Sequence, residues 1–188
     1  MDDRVDALEV ELVVGSSQPF EDVKEGLVNQ GIKIGNGIKV VLDRPRGWIL
    51  ESKEPVSGII ASDNLCPSYR LELLNLQPLA LTFERDFKVL ANVVRLVSLG
   101  QEFTPSVKTV LIPSERVYLS LLAIGLTNKQ IAVRRGVEIR TVKNAIYRIY
   151  MKLGFDTRVQ AAYYYYGYWH LLSDWDIPEQ VAQTLTGT

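Results

Sequence analysis

An N-terminal α/β half built on a parallel sheet, followed by an all-helical C-terminal half, is the fold class that this 188-residue chain predicts. Three observations carry it. Up to Gly100, short aliphatic runs alternate with helical periodicity, the pattern of a parallel sheet covered by helices. Beyond Leu111 every strong periodic signal is helical. The charge divides along the chain as well: residues 1–110 hold 12 Lys+Arg against 16 Asp+Glu, residues 111–160 hold 9 against 3, and residues 161–188 hold none against 3.

The first half opens with Leu8 to Gly15, a Val- and Leu-rich strand, followed by the turn Ser16-Ser17-Gln18-Pro19. A helix through Phe20, Val23, Leu27 and Val28 stops at Gly31. Ile32 to Asp43 alternates around Gly35-Asn36-Gly37, which reads as a hairpin. Trp48-Ile49-Leu50 and Gly58-Ile59-Ile60-Ala61 are short apolar runs expected as buried strands. Pro67 to Gln77 reads as a helix, Leu79 to Phe83 as a strand, and Phe87 to Gly100 as a helix with an apolar face from Val89 to Val97. This gives an α/β domain over residues 1–100 and a linker over 101–110.

The second half predicts four helices over residues 111–172. Ser114 precedes a helix from Glu115 to Ile124 that carries Val117, Leu121 and Leu122 inward and ends at Gly125. Thr127 and Gln130 form a threonine-x-x-glutamine capping box for the next helix, and Gly136 terminates it. The third helix runs from about Ile139 to Leu153. Val142, Ile146, Ile149 and Leu153 share one face, while Lys143, Asn144, Tyr147, Arg148 and Lys152 lie on or near the other. A fourth helix starts near Thr157-Arg158 and continues into Tyr163-Tyr164-Tyr165-Tyr166, and residues 173–188 read as a polar, irregular tail.

Composition excludes several classes. With 47% hydrophobic and 23% charged residues the chain is globular in type, and no apolar run approaches the ~20 residues that cross a bilayer. The start Met1-Asp2-Asp3-Arg4 lacks the basic character of a secretory leader, so a cytoplasmic protein without membrane attachment is expected. Cys66 and His170 are single, which removes an internal disulfide and a local zinc cluster. There is no phosphate-cradling glycine loop with its lysine and no nucleophile elbow, so neither an enzyme nor a cofactor is expected.

Two amphipathic helices joined by a glycine turn, the second bearing bases and amides, suit entry into a DNA major groove. Pro113-Ser114-Glu115-Arg116, Gly125-Leu126-Thr127-Asn128-Lys129-Gln130-Ile131-Ala132, Thr141-Val142-Lys143-Asn144, Met151-Lys152-Leu153-Gly154 and Arg158-Val159-Gln160-Ala161-Ala162 resemble the LuxR/NarL-type helix-turn-helix domain of response regulators. The resemblance implies base reading by Lys143, Asn144 and Tyr147. It implies phosphate contacts from Thr127, Asn128 and Lys129 at a helix N-terminus and from Thr141, Arg148 and Lys152 beside the reading face. Arg140, with Arg134 and Arg135, would add either nonspecific attraction or surface solvation. Two positions depart from the family pattern: Glu138 replaces the usual serine cap, and Ala145 the usual histidine. The resemblance also implies a homodimer on double-stranded DNA, for which the tyrosines of the fourth helix offer an interface unless they pack on the N-terminal domain.

In this family the first domain is often a phosphorylated receiver. Leu12 to Phe20 resembles its first strand and turn, and Leu79 to Gly100 its last strand and helix, with a shortened middle. The acidic pair expected after the first strand is Ser16-Ser17, and hydroxyls do not replace the carboxylates that hold Mg²⁺ beside a phosphoacceptor. Strand order places Glu51 at the acceptor position, whereas spacing to a proline points to Asp63. The position usual for lysine falls near Glu84 or Arg85. A transcription regulator with a degenerate receiver is therefore expected. A phosphoregulator with an unusual acidic site, and an adaptor whose helical domain binds a signalling or transcription protein, are the alternatives.

Overall fold

The computed structural model describes residues 8–15, 20–172 and 178–186. The chain divides into two compact units, one comprising Met1–Asp63 and Glu72–Ser106, the other Asn64–Leu71 and Val107–Thr188.

The first unit is a five-stranded, wholly parallel sheet. Its strands are β1 (Glu9–Val13), β2 (Lys33–Ile34), β3 (Ile38–Leu42), β4 (Ile59–Ala61) and β5 (Ala80–Thr82), in the spatial order β2-β1-β3-β4-β5. That is the flavodoxin-like, doubly wound order, and it makes the unit receiver-like as expected. The helices are α1 (Glu21–Asn29), α2 (Trp48–Ser52), α3 (Pro67–Leu74), which crosses the boundary of the two units, and α4 (Phe87–Ser98). One face of the sheet packs Val10, Val40, Leu42, Ile59, Ala61 and Ala80 against Val23 and Leu27 of α1 and Leu90, Val94 and Val97 of α4. Alternate residues Val41, Ile60 and Leu81 are buried too, which is why these strands read as continuous apolar runs. Asp86 caps α4, accepting a hydrogen bond from the Val89 amide at 3.0 Å.

Two expectations are corrected here. Gly35-Asn36-Gly37 makes no hairpin, because β2 and β3 both pair in parallel with β1, on its opposite sides. The three residues carry the chain straight across β1 without a helix. A Cβ on Gly37 would fall 1.8 Å from the carbonyl oxygen of Glu9, so the crossing is closed to any side chain. Trp48-Ile49-Leu50 is the start of α2 and not a strand. Gly47, at φ 96°, turns the chain into α2, and the Trp48 indole donates to the Leu42 carbonyl at 2.9 Å. Three apolar residues are too few for their period to separate strand from helix.

The second unit contains α5 (Pro113–Ala123), α6 (Asn128–Arg135), α7 (Ile139–Leu153), α8 (Arg158–Tyr165) and α9 (Glu179–Thr186). Its core holds Tyr118, Leu119, Leu121 and Leu122 of α5, Ile131 of α6, the inner face of α7, and Phe155, Ala161, Tyr164 and Tyr165. Helix α5 starts two residues earlier than its sequence suggests, at Pro113, and Val117 is 37% exposed, so it is Tyr118 and Leu119 that turn inward. Much of the α8 aromatic cluster is also internal. Tyr165 meets Tyr69 edge-on at 5.3 Å between ring centroids, and its carbonyl accepts from the buried Asn64 amide at 3.0 Å. The tail expected to be irregular carries α9, whose Val181 is fully buried.

The crossing of β1 yields a direct check. Gly37→Ala is expected to destabilise the sheet unit by about 3 kcal/mol, because its Cβ meets fixed backbone. Gly31→Ala, at φ 77° in open space, is expected to cost about 1 kcal/mol of backbone strain. Urea unfolding of the two variants in parallel would expose an error if the order were reversed.

Candidate nucleic-acid interface

Helices α6 and α7 are joined by Gly136, whose φ of 64° ends α6 in the left-handed region. The capping box at the start of α6 is formed as expected: Thr127 Oγ1 accepts from the Gln130 amide at 3.3 Å, and Gln130 Oε1 accepts from the Thr127 amide at 2.8 Å. Along α7, Val142, Ala145, Ile146, Ile149 and Leu153 are buried. Burying that stripe, at about 2 kcal/mol for each large side chain, forces the rest of the helix outward. Arg140, Thr141, Lys143, Asn144, Tyr147, Arg148 and Met151 are exposed on it. At the start of α6, Thr127 and Lys129 are exposed and Asn128 is half-buried. The exposed Arg135 holds its guanidinium 5.7 Å from the Tyr118 ring centroid, a cation–π contact that ties α6 to α5.

A buried carboxylate fixes α7 from below. Glu115 is 2% exposed and accepts from the Ile112 amide at 3.1 Å, so it closes the first turn of α5. The same Oε2 takes Lys152 Nζ at 2.7 Å, and Oε1 lies 3.8 Å from Arg148 Nε. Lys152 is thus committed to an internal ion pair, while Arg148, its side chain 57% exposed, keeps most of its guanidinium in solvent. Glu138 stands at the N-cap of α7 with no side-chain hydrogen bond, so it contributes charge near the helix dipole but closes no backbone donor. Arg158 of α8 donates to the carbonyls of Leu122, in the last turn of α5, and Leu126, in the connection to α6, which ties α8 to both.

The strand ends of the first unit gather a second polar cluster. Because the third strand is Ile38–Leu42, the residue that strand order places at its carboxyl end is Asp43, and Glu51 lies exposed on α2. Asp43 is 3% exposed. It accepts from Ser62 Oγ at 2.7 Å and from the Gly47 amide at 3.2 Å. Asp63, after β4, accepts from the amides of Glu84 and Arg85 at 2.9 and 3.2 Å and pairs with Arg85 at 3.3 Å. Arg44 bonds Glu84 through Nε and holds Asp22 bidentately at 2.8 and 2.7 Å. That bond to Arg44 lowers the Asp22 pKa, whereas burial outweighs Arg44 at Glu84 and pushes its carboxyl up to about 7. Among the described residues no three carboxylate, histidine or cysteine side chains are grouped as metal ligands. Ser16 and Ser17 lie outside the described residues.

Residues 109–165 match the family model described as bacterial regulatory proteins, luxR family. This segment is a luxR-family helix-turn-helix domain. Over 48 residues the chain is 54% identical to the DNA-binding transcriptional activator DevR/DosR of Mycobacterium tuberculosis, a stretch covering 26% of this chain and 22% of that relative. The match thus spans less than a quarter of the relative's length. Among solved structures, two RcsB dimers bound to two parallel DNAs superpose with a TM-score of 0.49 at 16% identity, over 84% of this chain and 97% of that one. RcsB of Salmonella enterica serovar Typhimurium bound to promoter DNA gives 0.49 at 15% identity, over the same shares.

Within the luxR-family domain, the exposed positions of α7 bring Arg140, Lys143, Asn144 and Tyr147 to one side. Lys152 is drawn away from that side by Glu115. Ala145 is 1% exposed, so the departure from histidine falls on the buried face of α7 and not on its outer one. The sequence pattern assigned no site role to Glu115, Asp43 or Met151. For Asp43 a signal existed: Val40-Val41-Leu42 is an apolar run ending in an acid, with Pro45 just beyond.

Proposed function

We propose that this protein is a sequence-specific DNA-binding transcription regulator that acts as a dimer, and that its first domain does not signal through conventional aspartyl phosphorylation. The observation that carries the first part is the outward face of α7, where Arg140, Lys143, Asn144 and Tyr147 stand exposed above a fully buried apolar stripe. In a major groove, Lys143 suits the O6 and N7 acceptors of guanine and Asn144 the N6 and N7 edge of adenine. Lys129 and the α6 N-terminus, with Thr127 and Asn128, suit a phosphate, as do Thr141 and Arg148 beside the reading face. A dimer is the arrangement by which a helix-turn-helix domain reads two half-sites, one major groove per protomer.

The second part rests on charge. Asp43 already accepts hydrogen bonds at both carboxylate oxygens, and Arg44, the next residue along the chain, is engaged by Asp22 and Glu84. An ionised Glu84 would repel an incoming phosphoryl group where a fixed positive charge is needed. The carboxylates here do not suit Mg²⁺, since those of Glu84 and Asp22 are held by Arg44 and that of Asp63 by Arg85 and two amides.

Two measurements test the parts separately. Lys143→Ala is expected to weaken binding to a selected duplex about 10- to 100-fold and to relax its base preference, while Lys129→Ala weakens all duplexes alike. Unchanged specific binding by Lys143→Ala would remove α7 from the groove. Incubation with acetyl phosphate and Mg²⁺, read by intact mass, is expected to give no acid-stable, hydroxylamine-labile adduct. A stoichiometric adduct mapped to Asp43 would restore phosphorylation as the control.

A further inference from the structure

The outermost stripe of α7 consists of Arg140, Asn144, Tyr147 and Met151, spaced i, i+4, i+7 and i+11, directly opposite the buried face. Its two ends differ in kind. The N-terminal half is a guanidinium and an amide, which read hydrogen-bonding edges. The C-terminal half is a tyrosine 64% exposed and a methionine 66% exposed, an i,i+4 pair of large side chains in contact range on the outermost line of the helix. Neither contributes to the core, which Val142, Ala145, Ile146, Ile149 and Leu153 complete.

We propose that Met151, with the ring of Tyr147, is a specificity-determining residue that reads thymine 5-methyl groups in the major groove. The inference rests on the DNA-binding reading of α7 and adds to it. A thioether donates no hydrogen bond and accepts weakly, so Met151 cannot distinguish the donor and acceptor patterns of base edges. The one apolar feature among the base edges of the major groove is the thymine methyl, which apolar side chains cover. Methionine is unbranched and polarisable, so it follows an irregular surface of methyl groups at small cost. Seven residues separate it from Asn144, about 10 Å along the helix. The thymine it reads therefore lies within about three base pairs of the adenine that Asn144 reads.

The test uses the full-length chain and duplexes enriched by it from a random pool. Each thymine of the enriched half-site is replaced in turn by deoxyuracil, which keeps every hydrogen-bonding group and lacks only the methyl. Wild type is expected to lose about three- to fivefold in affinity at one or two positions. Met151→Gln is expected to bind thymine and uracil forms equally at one of them, and Met151→Leu to keep the discrimination. Both substitutions are at an exposed position, and circular dichroism checks that the fold is intact. Equal binding of thymine and uracil duplexes by wild type, or undiminished discrimination by Met151→Gln, overturns the proposal while leaving DNA binding standing. Enrichment of no duplex at all overturns both, and enrichment of half-sites without thymine overturns the reading of Met151.

Discussion

The burial of one stripe of α7 decides most of what the C-terminal unit does. Val142, Ala145, Ile146, Ile149 and Leu153 have a single way to leave water, against α5 and α6, and a rigid helix turned that way must present Arg140, Lys143, Asn144, Tyr147 and Met151 to solvent. The apolar term chooses the orientation and the polar residues inherit it. Glu115 then adds what apolar packing lacks, a fixed electrostatic anchor. Its buried carboxylate closes the first turn of α5 and holds Lys152 from the last turn of α7, so axial sliding or rotation of the reading helix would strand a charge in the core.

The sheet unit obeys a different constraint. Its order is set by β1, which accepts β2 on one side and β3 on the other, and the tight Gly35-Asn36-Gly37 crossing permits this without an intervening helix. The strands deliver their carboxyl ends together, where doubly wound sheets place their binding crevices. In this chain the cluster is internally neutralised: Arg44 spans Asp22 and Glu84, and Ser62 serves Asp43. The charge that might have met an incoming group is spent within the fold.

Local signals were legible from the amino-acid sequence, and non-local ones were not. The Thr127–Gln130 box, the Gly136 terminator and the apolar face of α7 depend on residues within a few positions of one another, and each stands as read. The Gly35-Asn36-Gly37 segment misled because a hairpin and a crossover share the same residues, and only the strand between them, β1, separates the two. Trp48-Ile49-Leu50 misled because its strand-like composition is short, and that error displaced the third strand and hid Asp43 at its end. Glu115 resembled an ordinary first-turn acid, since its partner Lys152 is 37 residues away. For the same reason the ion pair that Lys152 makes with Glu115 could not be read from the residues around it.

If the exposed basic face of the helix-turn-helix domain meets a polyanion, binding must weaken as salt rises. Binding of the full-length chain to random-sequence duplex DNA, measured across a series of salt concentrations, tests it most directly. Phosphate neutralisation by several cations predicts that log K falls linearly with log salt at a slope of about −4 or steeper. A slope near zero would contradict the account and leave a helical module that binds protein instead.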